Sequence, residues 1–176
     1  MFDFLRNKKD KPSSQPESIE EIQVGDVVDY YMKSWEVQEE AEYDWGNNDL
    51  SKEFKLNSGD EIFYVSLYDD DELEISTFQK ILWDAIDGDL RSTVKEYDKP
   101  PKELVKDGVK YFLADSGMAR YRSVTKDKGW SDFEFWDYED ASEDKIVSIE
   151  CWDGDWEISA GEYAESFEFS VFRKGV

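Results

Sequence analysis

Histidine is absent from this sequence of 176 residues, and cysteine occurs once. Without histidine, the chain cannot build a Ser-His-Asp or Cys-His catalytic site, or a metal site with histidine ligands. What remains for an enzyme is a pair of carboxylates, lysine chemistry or a metal held by oxygen ligands. No stretch of the sequence carries a specific pattern for any of these, so we predict that the protein is not an enzyme.

Segments that direct a chain to or through a membrane are also missing. No apolar segment of the kind found in secretory signals follows Met1. There is no run of 18 apolar residues that could span a bilayer. The single cysteine cannot form a disulfide within the chain. These absences together predict a cytoplasmic protein.

Basic residues are scarce relative to acidic ones. The chain has 21 Lys and Arg against 44 Asp and Glu, which gives a formal net charge of -23. Such a charge repels phosphate backbones and anionic headgroups, so we predict no binding to nucleic acid. It leaves room for a basic protein partner, a bound cation or mimicry of nucleic acid. The oligomeric state does not follow from the charge.

The first part of the chain differs in composition from the rest. Residues 1–20 are predicted to form a flexible leader, because two prolines and three serines lie between Lys11 and Ser18. The few apolar residues at its start would give at most weak contact with a membrane. Residues 21–176 are predicted to form a single β domain.

Aromatic residues and short alternating segments are abundant in that domain. The chain contains 7 Trp, 10 Tyr and 11 Phe, enough to build a large core despite the charge. From Val24 onwards, apolar and polar residues alternate between turn residues, which is typical of short antiparallel strands. The segment from Thr77 to Ile86 is ambiguous, because its apolar residues also match a helical spacing. Its place in the repeat described next favours a strand.

The stretch Asp144–Gly161 resembles the earlier stretch Asp60–Ser76. A shift of 84 residues matches Ile62 with Ile146 and Val65 with Ile149. We therefore predict an all-β, internally duplicated fold with repeats at about 22–99 and 100–174. The two pseudo-symmetric antiparallel halves should form a twisted sandwich or a partly open barrel with little helix.

Two features of the repeated stretch could carry chemistry. Cys151 lies on the same strand face as Val147 and Ile149, which predicts a structural role for a buried thiol. The turns carry clustered carboxylates that could bind calcium or magnesium, the oxygen-ligand alternative. The candidate ligands are Asp69, Asp71, Asp153 and Asp155. Asp153-Gly154 also has the composition of a two-residue type I′ hairpin turn.

An aromatic segment in the second half is the predicted partner-binding surface. Aligning the halves matches Phe135 with Leu56 of the first half and assigns it to the inward face. Trp136, Tyr138 and Glu134 then share the other face. Exposed Trp and Tyr beside an acid suit the recognition of a protein partner. The alternative is that this face is covered by the other half or by the leader.

A family resemblance rests on an ordered set of such residues. The set consists of Val24-Gly25-Asp26-Val27-Val28, Trp35-Glu36-Val37, Glu53-Phe54, Gly108, Tyr111, Gly117, Ala119, Asp137-Tyr138, Ile149-Glu150, Glu157, Ser159 and Gly161. Over about residues 22–172 it resembles the bacterial family of domain of unknown function 4178. The resemblance implies a mostly β protein with no assigned activity. It also implies an accessory role in a stress or envelope-associated system.

Overall fold

The computed structural model describes residues 18–174, and most of these lie in β-strands. The mostly β fold with little helix is confirmed. One α-helix, α1, spans Leu90–Tyr97, and short 3₁₀ turns occur at Ile19–Glu21, Trp83–Ala85 and Ser166–Glu168. The strands are β1 (Val27–Tyr30), β2 (Lys33–Asp44), β3 (Leu50–Asn57), β4 (Ile62–Asp69), β5 (Leu73–Lys80), β6 (Glu103–Lys106), β7 (Val109–Ser123), β8 (Ser131–Asp140), β9 (Lys145–Trp152), β10 (Asp155–Ala164) and β11 (Ser170–Phe172).

All eleven strands belong to one sheet with antiparallel neighbours. The order is β11-β1-β2-β3-β4-β5-β10-β9-β8-β7-β6, and β2 also pairs with β7. This extra pairing closes eight of the strands into a partial ring. It involves only Ala41–Asp44 and Arg120–Ser123, so the result is a partly open ring and not a clean barrel.

Charged pairs hold the point where the ring closes. Arg120 forms an ion pair with Asp44, and Arg122 forms one with Glu42. Both guanidinium groups also lie over the ring of Trp130, at 5.2 and 4.8 Å from its centroid. Each pair links β7 to β2, so these contacts supplement the four backbone pairings there.

The outer face of each half is covered by a different part of the chain. In the first half, the outward side chains of β1 to β5 pack with Ile19, Phe169 and Val171, which come from segments near the two ends of the described chain. In the second half, they pack against the connecting segment 83–97, through Leu90 and Val94 on α1. Asp89 caps this helix by accepting a hydrogen bond from Ser92 N at 3.0 Å.

The ambiguous segment Thr77 to Ile86 divides into two parts. The strand prediction is confirmed as far as Lys80, where β5 ends. Thr77 to Lys80 pair with β10, which satisfies their backbone groups and joins the two halves. Beyond Lys80 the chain leaves the sheet through the 3₁₀ turn at Trp83–Ala85.

The predicted leader falls mostly outside the described residues, because residues 1–17 are not described. Within the described part, Ser18 caps the turn Ile19–Glu21, and Ile19 is buried in the core of the first half. The predicted membrane contact involves only residues outside that part. Among residues 18–174, no helix has the length and apolar character needed to cross a membrane.

The expected exposure of Tyr138 is wrong. In the structure Tyr138 is 0% exposed, and its hydroxyl donates a hydrogen bond to Pro101 O at 2.7 Å. Leu56 and Tyr138 occupy matching positions, each pairing with the residue before a β-bulge. Matching Leu56 with Phe135 was therefore three residues out of register. An odd shift moves a side chain to the opposite face of a strand.

Removing only the Tyr138 hydroxyl tests this placement. Tyr138→Phe is expected to lower the free energy of unfolding by about 1 kcal/mol, because Pro101 O loses its side-chain hydrogen-bond donor in a buried site. The control is Tyr97→Phe, since Tyr97 is 61% exposed on α1. Chemical denaturation of both variants provides the measurement. Equal midpoints for the two would contradict the buried hydrogen bond.

Candidate functional site

Strand alternation directs a second set of side chains into the ring. Two adjoining cavities of about 340 and 430 Å³ lie there. Both cavities are lined by Tyr43, Glu53, Phe78, Glu150 and Ser159, so they share part of their wall. The interior of the ring therefore has a lining rich in polar side chains, unlike the apolar outer faces.

The larger cavity is lined by carboxylates, and we call it the acidic chamber. No Lys or Arg of the described chain lines it, although both occur at the other cavity or at the ring closure. Its polar lining also includes Ser51, Ser66, Ser76 and Ser148. The seven acids of the acidic chamber are Asp49, Glu53, Glu74, Asp115, Asp137, Glu139 and Glu150.

Four of these carboxylates accept a hydrogen bond from a neighbouring side chain. The bonds run from Tyr43 Oη to Glu53 Oε1 (3.2 Å), from Ser148 Oγ to Asp137 Oδ1 (2.6 Å), from Tyr163 Oη to Glu139 Oε1 (2.7 Å) and from Trp152 Nε1 to Glu150 Oε2 (3.1 Å). An ionised carboxylate can accept about four hydrogen bonds. These neighbours therefore orient the acids without using their full accepting capacity.

Partial removal from water changes the protonation of three of these acids. Desolvation raises the pKa of Glu53 to about 7. Desolvation together with the charge of Glu53 raises the pKa of Glu150 to about 8. Burial likewise raises the pKa of Asp137 to about 6, although the hydrogen bond from Ser148 opposes this shift. The chamber therefore changes its charge within the physiological pH range.

The smaller cavity is lined by lysines as well as acids, and we call its end of the ring the lysine mouth. Lys55 and Lys126 both pair with Glu39, at 3.1 and 2.7 Å. Lys80 pairs with Glu157 at 2.8 Å. These ion pairs neutralise the lysine mouth locally, whereas no Lys or Arg in the described part of the chain lines the acidic chamber.

Aromatic rings form part of the chamber wall. Tyr43 stacks on Trp45 with centroids 5.4 Å apart, and Trp45 meets Phe135 edge to face at 5.0 Å. Trp45 Nε1 donates to Ser51 Oγ at 2.9 Å, which fixes the indole. Such rings offer negative π faces to a bound cation beside the carboxylates.

The predicted partner-binding residues lie on the outer face of β8, away from this cavity. Glu134 is exposed. Trp136 is half-buried and stacks on Trp156, with centroids 5.4 Å apart. Tyr138 is buried under the connecting segment 83–97. The connecting segment covers this face at Tyr138, in agreement with the alternative that the other half covers it.

The predicted metal ligands remain apart in the structure. Asp69 and Asp71 are exposed at the β4–β5 turn, and Asp153 and Asp155 are exposed at the β9–β10 turn. The antiparallel pairing of β5 with β10 puts these turns at opposite ends of the seam. Within the described range, no three Asp, Glu or Cys side chains converge as metal ligands.

Backbone geometry supports the turn prediction made for Asp153-Gly154. The φ angles of these two residues are 52° and 90°. Positive φ at both central positions is the requirement of a type I′ turn, so this prediction is confirmed. Cys151 lies on the outer face with Val147 and Ile149, half-buried, and burial raises the pKa of its thiol. A raised pKa reduces thiolate reactivity.

Glu53, Asp137 and Glu150 belong to the residues that carry the family resemblance, but no role in a site was predicted for them. Each alternates with apolar residues on a strand, as Glu150 does between Ile149 and Cys151. An acid at such a position faces either solvent or an interior, and only ring closure makes it interior. With 44 acidic residues in the chain, the alternation gave no means of choosing these three.

The fold and the chamber define a mostly β protein with an acid-lined cavity inside a partial ring of strands. The chain belongs to the bacterial family described as Domain of unknown function (DUF4178), whose profile matches residues 23–166. An uncharacterized protein of Aquifex aeolicus (strain VF5) is 27% identical over 165 residues, which cover 93% of this chain and 88% of that protein. No solved structure matches significantly. The family resemblance seen in the sequence is confirmed.

Proposed function

We propose that the protein is a non-enzymatic cytoplasmic binding module and that its acidic chamber binds an organic cation. One observation carries the proposal: seven carboxylates, and no basic side chain of residues 18–174, line a cavity of about 430 Å³. The accessory role in a stress or envelope-associated system, implied by the family resemblance, would then depend on this binding.

A positive ligand would relieve an electrostatic cost of the chamber. Carboxylates in a partly enclosed space repel each other more strongly than on an open surface, because the surrounding medium screens them less. The pKa values of Glu53 and Glu150 are raised by loss of contact with water and, for Glu150, by repulsion from Glu53. A bound cation would favour their ionised forms, so binding should release protons.

An organic amine suits the chamber better than a metal ion. A metal needs several oxygen ligands at one point, and among the described residues no three acids converge in that way. The acids are instead distributed over several elements, for example Glu53 on β3, Glu74 on β5 and Asp137 on β8. A ligand with two separated ammonium groups and an aliphatic stem would match separated acids and aromatic walls.

The internal repeat supports a shared origin for the two sides of the cavity. In space, β1 to β5 are followed by β10 to β6, so the order of one half mirrors that of the other. Each half also carries a bulge in its second strand, at Val37/Glu39 and at Leu113/Asp115. We also propose that the ring arose by duplication of a unit of five strands.

A series of linear diamines tests the proposal. From 1,3-diaminopropane to 1,8-diaminooctane, we expect calorimetric binding with an optimum chain length set by the spacing of the acids. Butylamine, with one ammonium group, should bind at least tenfold more weakly than the best diamine. Affinity should increase from pH 6 to pH 8.5 as Glu53 and Glu150 ionise.

Matched variants locate the site. Asp137→Asn is expected to weaken diamine binding at least tenfold at pH 8, whereas Asp69→Asn at the exposed turn should leave it unchanged. Calcium and magnesium serve as comparison ligands. A calcium affinity above that of every diamine, lost in Asp69→Asn, would favour the metal-binding alternative at the acidic turns. No binding of any diamine would refute the chamber as a cation site.

A further inference from the structure

On one of their two edges, the strands β2 and β7 each pair with two different strands in succession. Each therefore has a short stretch that lies between its two partners on that edge. In β2, this stretch lies between the pairing with β1, which ends at Glu36, and the pairing with β7, which begins at Ala41. Backbone groups of this stretch that face away from β3 already form hydrogen bonds. Val37 N donates to Asp26 O at 2.9 Å, and Val124 N donates to Glu40 O at 2.9 Å.

The corresponding stretch of β7 is longer and open on one side. Pairing with β6 ends at Phe112, and pairing with β2 begins at Arg120. Leu113 N donates to Lys102 O at 2.9 Å, which extends the contact with the β6 side by one residue. Residues 115–119 pair with β8 on one side, residue 114 lies in the bulge, and no strand of the described chain pairs with residues 114–119 on the other side. We call residues 114–119 the open edge.

Space for another strand exists beside part of the open edge. A cavity of about 510 Å³ lies between Met118–Arg120 and the loop that contains Gly46, Asn47 and Asn48. The loop begins where β2 ends at Asp44, so a strand placed there would continue the line of β2 towards β6. Six residues in a strand extend about 20 Å, which matches a short peptide segment.

We propose that an extended peptide from a basic protein partner adds to β7 along the open edge and inserts Lys or Arg side chains into the acidic chamber. The inference rests on the proposed cation-binding function and names the partner class. Asp115 connects the two features, because it belongs to the open edge and also lines the chamber. Backbone hydrogen bonds would supply affinity, and alternate side chains would supply specificity.

Charge selects this occupant over a second copy of the chain. A net charge of -23 makes pairing between two copies repulsive. Asp115, Asp132 and Glu134 lie on or beside the open edge and disfavour acidic strands. The same charges would attract a strand with alternating basic residues, so they would contribute to both affinity and specificity.

A peptide with alternating lysine and valine residues tests the inference, with an N-methylated version as its matched control. N-methylation of the valine amides keeps the charge and removes donors to the edge. We expect the unmodified peptide to bind at least tenfold more tightly in fluorescence polarisation. Hydrogen exchange should show new protection within residues 114–119. Asp115→Asn should weaken binding at least fivefold, and Asp69→Asn should not change it.

The possible results separate this inference from the proposed function. Equal affinity of the two peptides, or unchanged protection at residues 114–119, would overturn strand addition, while diamine binding in calorimetry would still support the chamber. Protection that increases with protein concentration in the absence of peptide would show that a second copy uses the open edge, and would also overturn the inference. Loss of diamine binding would refute the function on which the inference rests.

Discussion

Gly161→Ala is expected to lower the free energy of unfolding by more than about 3 kcal/mol. Gly161 lies on β10 between Phe78 of β5 and Ile146 of β9. A Cβ atom at this position would lie 1.6 Å from Thr77 O and 2.7 Å from Thr77 C. These are backbone atoms that cannot rotate away, so the two strands would have to separate.

The position of Gly161 explains why the effect should be large. The β5–β10 seam joins the two halves of the sheet, and the inward side chains beside it line the ring cavity. Displacement of β10 would weaken pairing on both of its sides at once. Because the φ angle of Gly161 is outside the positive range, the cost comes from space and not from backbone conformation.

Gly117→Ala is the matched control on another strand. A Cβ at Gly117 would meet the Phe135 ring at 3.5 Å, an ordinary van der Waals contact. We expect its stability to be unchanged or raised by up to about 1 kcal/mol, since alanine restricts the unfolded chain. Urea denaturation of both variants measures the difference. Similar midpoints would show that β5 and β10 do not approach as closely as described.

Stability is expected to decrease as pH increases from 5 to 8. Glu53 and Glu150 have folded pKa values of about 7 and 8, above the ordinary value of 4.5, because they are buried. The folded state therefore holds more protons than the unfolded state in this interval, and raising the pH removes that advantage. Each group should contribute on the order of 2 kcal/mol to the decrease.

Glutamine substitutions identify the source of this dependence. The double variant Glu53→Gln, Glu150→Gln should flatten the decrease and be more stable than the parent at pH 8, because a neutral amide replaces a buried charge. Asp60 and Asp140 have lowered pKa values, so their effects on stability are largely complete below pH 5. Denaturation at pH 5, 6, 7 and 8 provides the measurement. An unchanged slope in the double variant would place the titrating groups elsewhere.

The two glutamate positions also illustrate what alternation can predict. Val65 and Ile149 are apolar residues of alternating strand segments, and both are 0% exposed. A strand pattern predicts such faces because side chains alternate with a period of two. The same alternation places Glu53 opposite Phe54 and Glu150 opposite Ile149, but it does not indicate whether the face of these acids meets water or an interior.

The register between strands was harder to obtain than the strands themselves. Tyr138 was misplaced because the hairpin of β7 and β8 is longer than the hairpin of β2 and β3, so one constant shift does not align their residues. Such an error leaves the strand prediction intact and exchanges its two faces. The burial of Tyr138 by the connecting segment 83–97 was equally hard to predict, because it is a long-range contact that no local pattern specifies.

The sequence alone determined that the chain is acidic and mostly β, and that Asp153-Gly154 forms a type I′ turn. These features depend on composition and on residues that are neighbours along the chain. The tertiary structure alone decided that β2 meets β7, that seven acids line one cavity and that residues 114–119 have an open edge. They depend on pairings between distant residues, where register and ring closure decide which polar side chains become interior.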